Sequence, residues 1–293
     1  MLGLRYPMEV NLIGDARATL RALLPHLQPK TDRSWRETVE AGAAASWDEA
    51  RGMAMVGAEP INPQRVAFEL SERLPEGAIV TADSGTTTVW YARDLKFRRG
   101  MMGSVSGMLA TMGCAVPYAI AAKFAYPDRP VIALVGDGAM QMNGMAELVT
   151  IAKYWRRWTD PRLIVMALNN RDLAYVTWEE RVQAGDPKFE ASQALPDVPY
   201  AEFAKLIGLD GLRVEDSEQV GPAWSRALAA DRPFVLDMVT DPNVPPLPPH
   251  ITLKQARNFM SAMVGGEPEI GSVLANTARE MIGSLLPGRG RRG

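Results

Sequence analysis

The chain has one cysteine, Cys114, and two histidines, His26 and His250. A single cysteine excludes an internal disulfide and fits a reducing, cytoplasmic setting. It lies in an apolar helical stretch and reads as packing. Two histidines argue against a structural zinc site, which draws on four Cys or His ligands. Charge of one sign is also scarce: 32 Lys and Arg against 34 Asp and Glu leave a net charge of −2. No global basic field is present to recruit nucleic acid. No apolar run is long enough to cross a bilayer. The opening residues, MLGLRYPMEVNLIGD, lack the charged-then-apolar layout of a signal peptide. No GxSxG supports a serine hydrolase; the nearest stretch, Gly103 to Gly107, reads GSVSG. No internal repeat is visible. What is there is a soluble globular composition, 47% hydrophobic and 23% charged over 293 residues, enough for one large or two modest domains.

Along the chain, ARATLRALLPHL places apolar residues on one helix face. Residues 31–59 are polar, Ala- and Gly-rich and weakly periodic, a linker that could carry a helix. Asn62-Pro63 supplies a cap and a first-turn proline for a helix through Leu74. Strands and helices then alternate. Strand AIVTAD precedes helix TTTVWYARDL; a loop and helix GCAVPYAIAAKFA precede strand VIALVGD; helix MNGMAELVTIAKYW precedes strand LIVMALN. Helix YAEFAKLIG, strand LRV, helix SEQVGPAWSRALAA and strand FVLDMVT close the unit. This order predicts an α/β fold, a doubly wound, mostly parallel sheet with helices on both faces. The proline-rich PNVPPLPPH marks the end of that domain, and a tail follows.

The most informative stretch runs from Gly136 to Asn170. The apolar run PVIALV ends in Gly136-Asp137-Gly138, and RLIVMAL ends in Asn169-Asn170. A carboxylate and an amide therefore sit at the carboxyl ends of two successive strands, the edge where open parallel sheets bind ligands. Such oxygens suit Mg²⁺, which commonly shares its coordination with a substrate phosphate. A helix starting after Gly138 offers N–H groups to an anion. Together these describe a site for a magnesium diphosphate. Taken singly, DG and NN are ordinary turn dipeptides.

The pattern resembles the cofactor motif of thiamine diphosphate (ThDP) enzymes, which opens with GDG and closes with NN. The resemblance implies that Asp137, Asn170 and the backbone carbonyl of Asp172 bind Mg²⁺, and that Gly136, Gly138 and Ala139 lie at the diphosphate. The interval from Asp137 to Asn170 is longer than the family's usual one. The extra residues are expected around Trp155 to Pro161, in a surface connection. Asp83-Ser84-Gly85-Thr86-Thr87 follows the first strand; matching positions in the family bind the diphosphate through backbone and hydroxyl groups. Hydroxyls at a helix start also cap helices, so Thr86 and Thr87 carry both readings. The stretch Gly107 to Gly113, GMLATMG, is similar to the family's GLGTMG. It implies that Met112 wedges the cofactor into a bent shape and that the backbone of Ala110 and Met112 holds its aminopyrimidine ring. Ala110 stands where the family has glycine.

RDLAYVTWEERVQAGDPKF and PPLPPHITLKQARNF resemble the pyruvate oxidase and quinone-dependent pyruvate dehydrogenase branch, beside acetolactate synthase. The resemblance implies that Tyr175 and Glu179 face the reacting carbon of a 2-oxo acid, with an ordinary charged helix face as the alternative for Glu179. The family order is pyrimidine domain, middle domain, diphosphate domain. On this reading residues 1–30 are the remnant of a middle domain, 60–242 the diphosphate-binding domain and 243–293 the proline-rich segment and tail. The chain has no room for the pyrimidine-binding domain whose Glu activates the cofactor. The expectation is the C-terminal half of a larger enzyme, incomplete by itself. Its partner is a pyrimidine-binding domain on another chain or in a missing N-terminal part, within a homo- or hetero-oligomer. An FAD site of the oxidase branch would lie mostly in the missing part.

Two other classes compete. One is a non-catalytic ThDP-binding remnant or regulatory module. The other is a nucleotide-binding Rossmann enzyme, disfavoured because no GxGxxG opens a helix after the first strand. In the tail, Val273, Leu274, Met281, Ile282 and Leu285 could share a helix face, followed by Arg289, Arg291 and Arg292. Peripheral contact with a membrane surface is one reading of this pattern; a solvated end is preferred over it.

Overall fold

A computed structural model describes residues 3–246 and 252–285. The chain divides into two compact units, Met1–Ser46 and Trp47–Gly293. The first holds α1 (Ala16–Leu23), opened by Asp15, whose carboxylate accepts the Ala18 N–H. It also holds the greater part of α2 (Ser34–Ala54). This 21-residue helix occupies much of the stretch expected as a linker, because AGAAAS favours helix despite its weak amphipathic pattern. Its end, Ala50, Met53 and Ala54, is buried in the second unit.

In the second unit α3 (Pro63–Arg73) starts where the sequence predicts: the Asn62 side chain accepts the Gln64 N–H and Pro63 takes the first turn. There follow β1 (Ile79–Ala82), α4 (Thr86–Asp94), β2 (Met102–Val105), α5 (Ala115–Ala125) and β3 (Val131–Gly136). Helix α6 (Asp137–Ala139) runs through a π turn, Met140–Gly144, into α7 (Met145–Tyr154). Next come β4 (Leu163–Asn169) and α8 (Ala174–Glu179), which continues into a second π turn, Glu180–Ala184. Then α9 (Glu190–Gln193), α10 (Tyr200–Leu206), β5 (Asp210–Val214), α11 (Val220–Leu228) and β6 (Phe234–Val239) complete the alternation.

The six strands form one parallel sheet in the order β2-β1-β3-β4-β6-β5. Side chains alternate across it with period two. Ile132, Leu134, Ile164 and Met166 face α3 and α11, with Leu70 and Trp224 in the same core. Val131, Ala133, Val135 and Val165 face the other way, toward α5, α7 and α10, with Leu148, Ile151 and Tyr200. A parallel sheet covered on both faces needs such near-continuous apolar strands. After β1 the chain turns outward to β2; from β3 onward it builds in the opposite direction. The crevice at the carboxyl ends of β1 and β3 is therefore the topological switch point.

Three expectations are corrected. The loop between α4 and α5 contains β2, whose sequence MGSV has no apolar run. As an edge strand it is hydrogen-bonded on one side only, and Gly103 leaves room for Tyr91, whose Oη would lie 2.1 Å from a Cβ there. The connection from 155 to 161 is not wholly on the surface: Trp158 is buried. The Lys123 ammonium lies beneath it, donating to the Asp160 and Arg129 carbonyls at 2.6 Å each. The tail is not a solvated end as far as residue 285. α12 (Leu253–Val264) starts in a capping box of Thr252 and Gln255, and α13 (Ile270–Leu285) follows. Phe259 stacks on Trp178, and Ala262, Met263 and Val273 close a small core around Trp178 and Val182. Of the proposed membrane face, Val273 is buried inside the protein, while Leu274, Met281 and Ile282 are exposed. Arg289, Arg291, Arg292 and the His250 region lie outside the described residues. Among the described residues no helix is long and apolar enough to cross a membrane.

A buried ion pair fastens the tail. Arg181 Nε and Nη2 donate to the two oxygens of Glu267 at 3.0 and 2.7 Å, both side chains fully buried. Removing one partner leaves an uncompensated buried charge. Arg181→Met is expected to destabilise the second unit by about 3–5 kcal/mol, read as a lower urea midpoint.

Glu280 of α13 gives a pH-dependent prediction. Burial pushes its carboxyl up to about 8, against the opposing charge of Arg93. A carboxyl raised in the folded state takes up its proton there before the unfolded chain does. Stability should therefore fall as pH rises from the ordinary carboxyl range through about 8. Glu280→Gln should flatten that slope, raising the melting temperature at alkaline pH and leaving it unchanged in acid.

Candidate functional site

Four segments converge on the carboxyl edge of β1, β3 and β4. The first is the turn after β1. Asp83, fully buried, accepts the Ser84 N–H (2.9 Å) and the Gly113 N–H (2.8 Å) on one oxygen and the Ala115 N–H (3.0 Å) on the other. It thereby ties the strand end to the second segment, the loop before α5 that carries Ala110 and Met112. Gly85 adopts φ 114°, ψ −156°, a conformation open essentially to glycine alone. Thr87 and Thr88 turn their hydroxyls back to the Asp83 carbonyl, at 2.9 and 2.5 Å. The Ser84 hydroxyl donates to the Thr111 carbonyl at 3.1 Å.

The third segment is the end of β3. Asp137 is 3% exposed; its Oδ1 accepts the Gly138 N–H at 2.8 Å. Its Oδ2 accepts the Asn170 and Arg171 N–H groups at 2.9 and 2.5 Å, which joins β3 to the fourth segment beyond β4. Arg171 reaches it only by adopting φ 59°, left-handed for a non-glycine residue. The Asn170 side-chain oxygen accepts the Asp172 N–H at 3.0 Å. Burial pushes the Asp137 carboxyl up to about 7 despite its three N–H donors, and the negative Asp172 adds to the rise. A carboxylate this costly to ionise is stabilised by a cation beside it.

The two asparagines have separate work. Asn169 donates to Asp237 (3.0 Å) and Asp197 (3.1 Å), and Arg213 bridges the same two carboxylates. It braces β4 against β6 and β5 from within the sheet. Asn170, one residue on, faces the crevice.

These segments enclose a cavity of about 310 Å³. Every residue singled out from the sequence lines it: Ser84, Gly85, Thr86 and Thr87 after β1; Ala110 and Met112 before α5; Gly136, Asp137, Gly138 and Ala139 at the end of β3; Asn170 and Asp172 after β4; Tyr175 and Glu179 on α8. Leu173, Ala174 and Val176 add an apolar wall. At the cavity floor Gly138 is closely packed: a Cβ there would lie 2.7 Å from Leu173 Cδ2 and 3.3 Å from Met112 Cε, so these side-chain ends would have to shift. Two of the helices that leave the cavity, α6 and α8, run into a π turn, a distortion common at functional sites.

The donor set fits a small oxygen-seeking dication. Asp137 Oδ1 and Asn170 Oδ1 each accept one hydrogen bond and keep a second lone pair. The Asp172 carboxylate is turned away, accepting from the Thr177 hydroxyl at 2.8 Å and pairing with Lys188 Nζ at 3.2 Å; the main-chain carbonyl is the group it can offer a metal. Among the described residues no group of three or more His, Cys, Asp or Glu side chains could hold a metal. A site of one carboxylate, one amide and one carbonyl suits Mg²⁺, which keeps places for water and phosphate.

Sequence reasoning did not assign the residues that support this set. Asp83 was visible only as the first residue of its motif. Tyr200, whose hydroxyl donates to the Asp137 carbonyl at 3.2 Å, gave no signal. Nor did Lys188.

A parallel α/β sheet whose switch-point cavity combines oxygen donors with glycine-lined backbone has the form of a diphosphate-binding domain. Residues 83–238 match the family described as thiamine pyrophosphate enzyme, C-terminal TPP binding domain. The chain belongs to this family of ThDP enzymes and represents their C-terminal half. It is 35% identical over 263 residues to the putative thiamine pyrophosphate-containing protein YdaP of Bacillus subtilis (strain 168), covering 90% of this chain and 44% of that protein. It is 31% identical to the mitochondrial acetolactate synthase catalytic subunit of Aspergillus candidus, covering 81% of this chain and 34% of the relative. With acetolactate synthase isozyme 3 large subunit of Escherichia coli (strain K12) the identity is 31%, covering 75% and 38%. The chain spans less than half the length of these relatives.

Ala110 stands in the left-handed region, at φ 48°. That conformation costs an L-residue about 1–2 kcal/mol, and glycine in its place costs about 0.5–1 kcal/mol of chain entropy. Ala110→Gly is therefore expected to stabilise the fold by about 0.5–1 kcal/mol, measured as a higher urea midpoint at unchanged slope.

Proposed function

We propose that this cavity holds the diphosphate end of ThDP through Mg²⁺ bound by Asp137, Asn170 and the Asp172 carbonyl. Gly136, Gly138 and Ala139 on one side and Ser84, Gly85, Thr86 and Thr87 on the other present backbone to the phosphates. Thr87 contributes mainly by shape, since its hydroxyl is engaged with Asp83. Met112, half-buried beside Gly138, supports the bend of the cofactor, and the backbone of Ala110 and Met112 meets its aminopyrimidine ring. When bound, ThDP supplies the carbon nucleophile and the electron sink for decarboxylating a 2-oxo acid.

The chain's own part is to fix the diphosphate, exclude water through Leu173, Ala174 and Val176, and present Tyr175 and Glu179 where a small 2-oxo acid would react. We assign the complete enzyme to 2-oxo acid chemistry of the pyruvate oxidase or acetolactate synthase type. It works as an oligomer in which a pyrimidine-binding domain supplies the activating Glu. Turnover by this chain alone is expected to be negligible. Any FAD would be held by parts outside this cavity. A reducing, cytoplasmic setting suits the single buried Cys114. Residues 60–242 are the proposed diphosphate domain, preceded by a connecting segment at 31–59 that is largely α2 and a middle-domain segment at 1–30.

The observation that carries this reading is the joint of Asp137 to Asn170 and Arg171 at the switch point, inside the cavity that the motif residues line. Calorimetric titration of the chain with ThDP, with and without Mg²⁺, tests it. Binding should require Mg²⁺, and Asp137→Asn should weaken it about 100-fold, about 2.8 kcal/mol. Mg²⁺-independent binding, or equal affinity in the variant, would remove the metal assignment.

A further inference from the structure

Lys188 lies outside the cavity lining, yet it touches both the site and the tail. Its side chain is 6% exposed, and the ammonium is 3.2 Å from Asp172 Oδ1 and 3.9 Å from Glu269 Oε1. Its backbone N–H donates to Glu267 Oε2 at 3.1 Å, the same carboxylate that grips Arg181. Glu267 and Glu269 lie in the turn between α12 and α13. Asp172 begins the turn into α8, and its N–H holds the Asn170 side-chain oxygen. A continuous set of polar contacts, buried at the Asp172 end and partly buried at the tail, thus runs from Glu267 and Glu269 through Lys188 and Asp172 to Asn170. The elbow between Arg181 and Lys188 is packed against α12: Gly185 turns at φ 87°, a left-handed conformation that favours glycine, and a Cβ there would be in van der Waals contact with the Asn258 backbone at 3.4 Å. The Asn258 amide caps the Gln183 carbonyl at 2.6 Å.

We propose that Lys188 is a positioning residue that couples docking of the C-terminal helices to the shape of the metal-binding loop. Its cation neutralises the Asp172 carboxylate and so holds the 170–172 turn in the conformation that presents the Asn170 oxygen and the Asp172 carbonyl. The tail, through Glu267 and Glu269, holds Lys188 in place. Because coupling between two sites is reciprocal, Mg²⁺–ThDP bound at the cavity tightens the tail by the same factor that the docked tail tightens binding. The inference rests on the Mg²⁺–ThDP reading of the cavity, and it assigns a role to a residue that the motif itself does not contain.

The test uses the full chain with Mg²⁺ and ThDP as probes and reads hydrogen exchange together with calorimetric affinity. In the wild-type chain Mg²⁺–ThDP should slow amide exchange in α12 and α13, neither of which lines the cavity. Lys188→Met should weaken Mg²⁺–ThDP binding about tenfold, within the usual range for coupled sites. At saturating cofactor its tail should gain no protection. Lys188→Arg, which keeps the charge, should recover most of both effects, which lost packing alone would not explain. Wild-type binding with unchanged tail exchange, or Lys188→Met binding as tightly as wild type, overturns the coupling and leaves the cofactor site standing. Absence of wild-type binding overturns the cofactor reading and the coupling with it. If Lys188→Met does not fold, the wild-type exchange comparison and Lys188→Arg decide the matter.

Discussion

The carboxylate of Asp137 is the joint on which the rest of the site depends. It closes the gap between the ends of β3 and β4 by accepting the backbone of Asn170 and Arg171, and it closes its own turn by accepting Gly138. Backbone geometry around the cavity follows from these bonds. Arg171 is left-handed because its N–H must reach Asp137. Asn170 is thereby directed into the crevice while Asn169 stays in the sheet. An ionised group nearly excluded from water is expensive, and three N–H donors offset only part of that cost. Such a group at a glycine-lined switch point fits the magnesium diphosphate proposed for this cavity.

Strain collects in the same place. Among the described residues Ala110 and Arg171 are the non-glycine residues with positive φ, and both border the site. Gly85 takes a conformation that other residues avoid, and two helices leave the cavity through π turns. Each costs stability that the sheet must supply. The sheet can do so because β3 and β4 are buried along almost their whole length and packed on both faces. The rigid layer and the strained rim are two parts of one arrangement: a well-packed parallel sheet holds its loop ends in conformations that an isolated loop would abandon.

The tail extends this logic. Arg181 and Glu267 form a fully desolvated pair. Such a pair adds little net stability beside an apolar alternative, but it is intolerant of separation. It therefore fixes where α12 lies more than how firmly the domain folds. What it fixes is α8, whose start carries Tyr175 and whose end carries Glu179 at the cavity wall.

The sequence by itself determined the sheet apart from its edge strand β2, most of the helices that cover it, and the residues of the cavity's lining. Apolar runs ending in Gly136-Asp137 and Asn169-Asn170 are local signals, because strand burial and turn chemistry are written in neighbouring residues. Asn62-Pro63 announces a helix start for the same reason. Glycine at 85 and 138 and the methionine at 112 were legible through their motifs. Only the tertiary structure decided what depends on distant partners. β2 has no apolar run because an edge strand, paired on one side, needs none. The tail looked solvated because its apolar residues find Trp178 and Val182 only after folding. Tyr200 beneath Asp137, Asn169 against Asp237, and Lys188 between Asp172 and Glu269 join residues 63, 68 and about 80 positions apart or nearer. Contacts of that kind leave no local pattern, since each partner taken alone is an ordinary polar residue; burial in one shared, water-poor space is what turns them into a site.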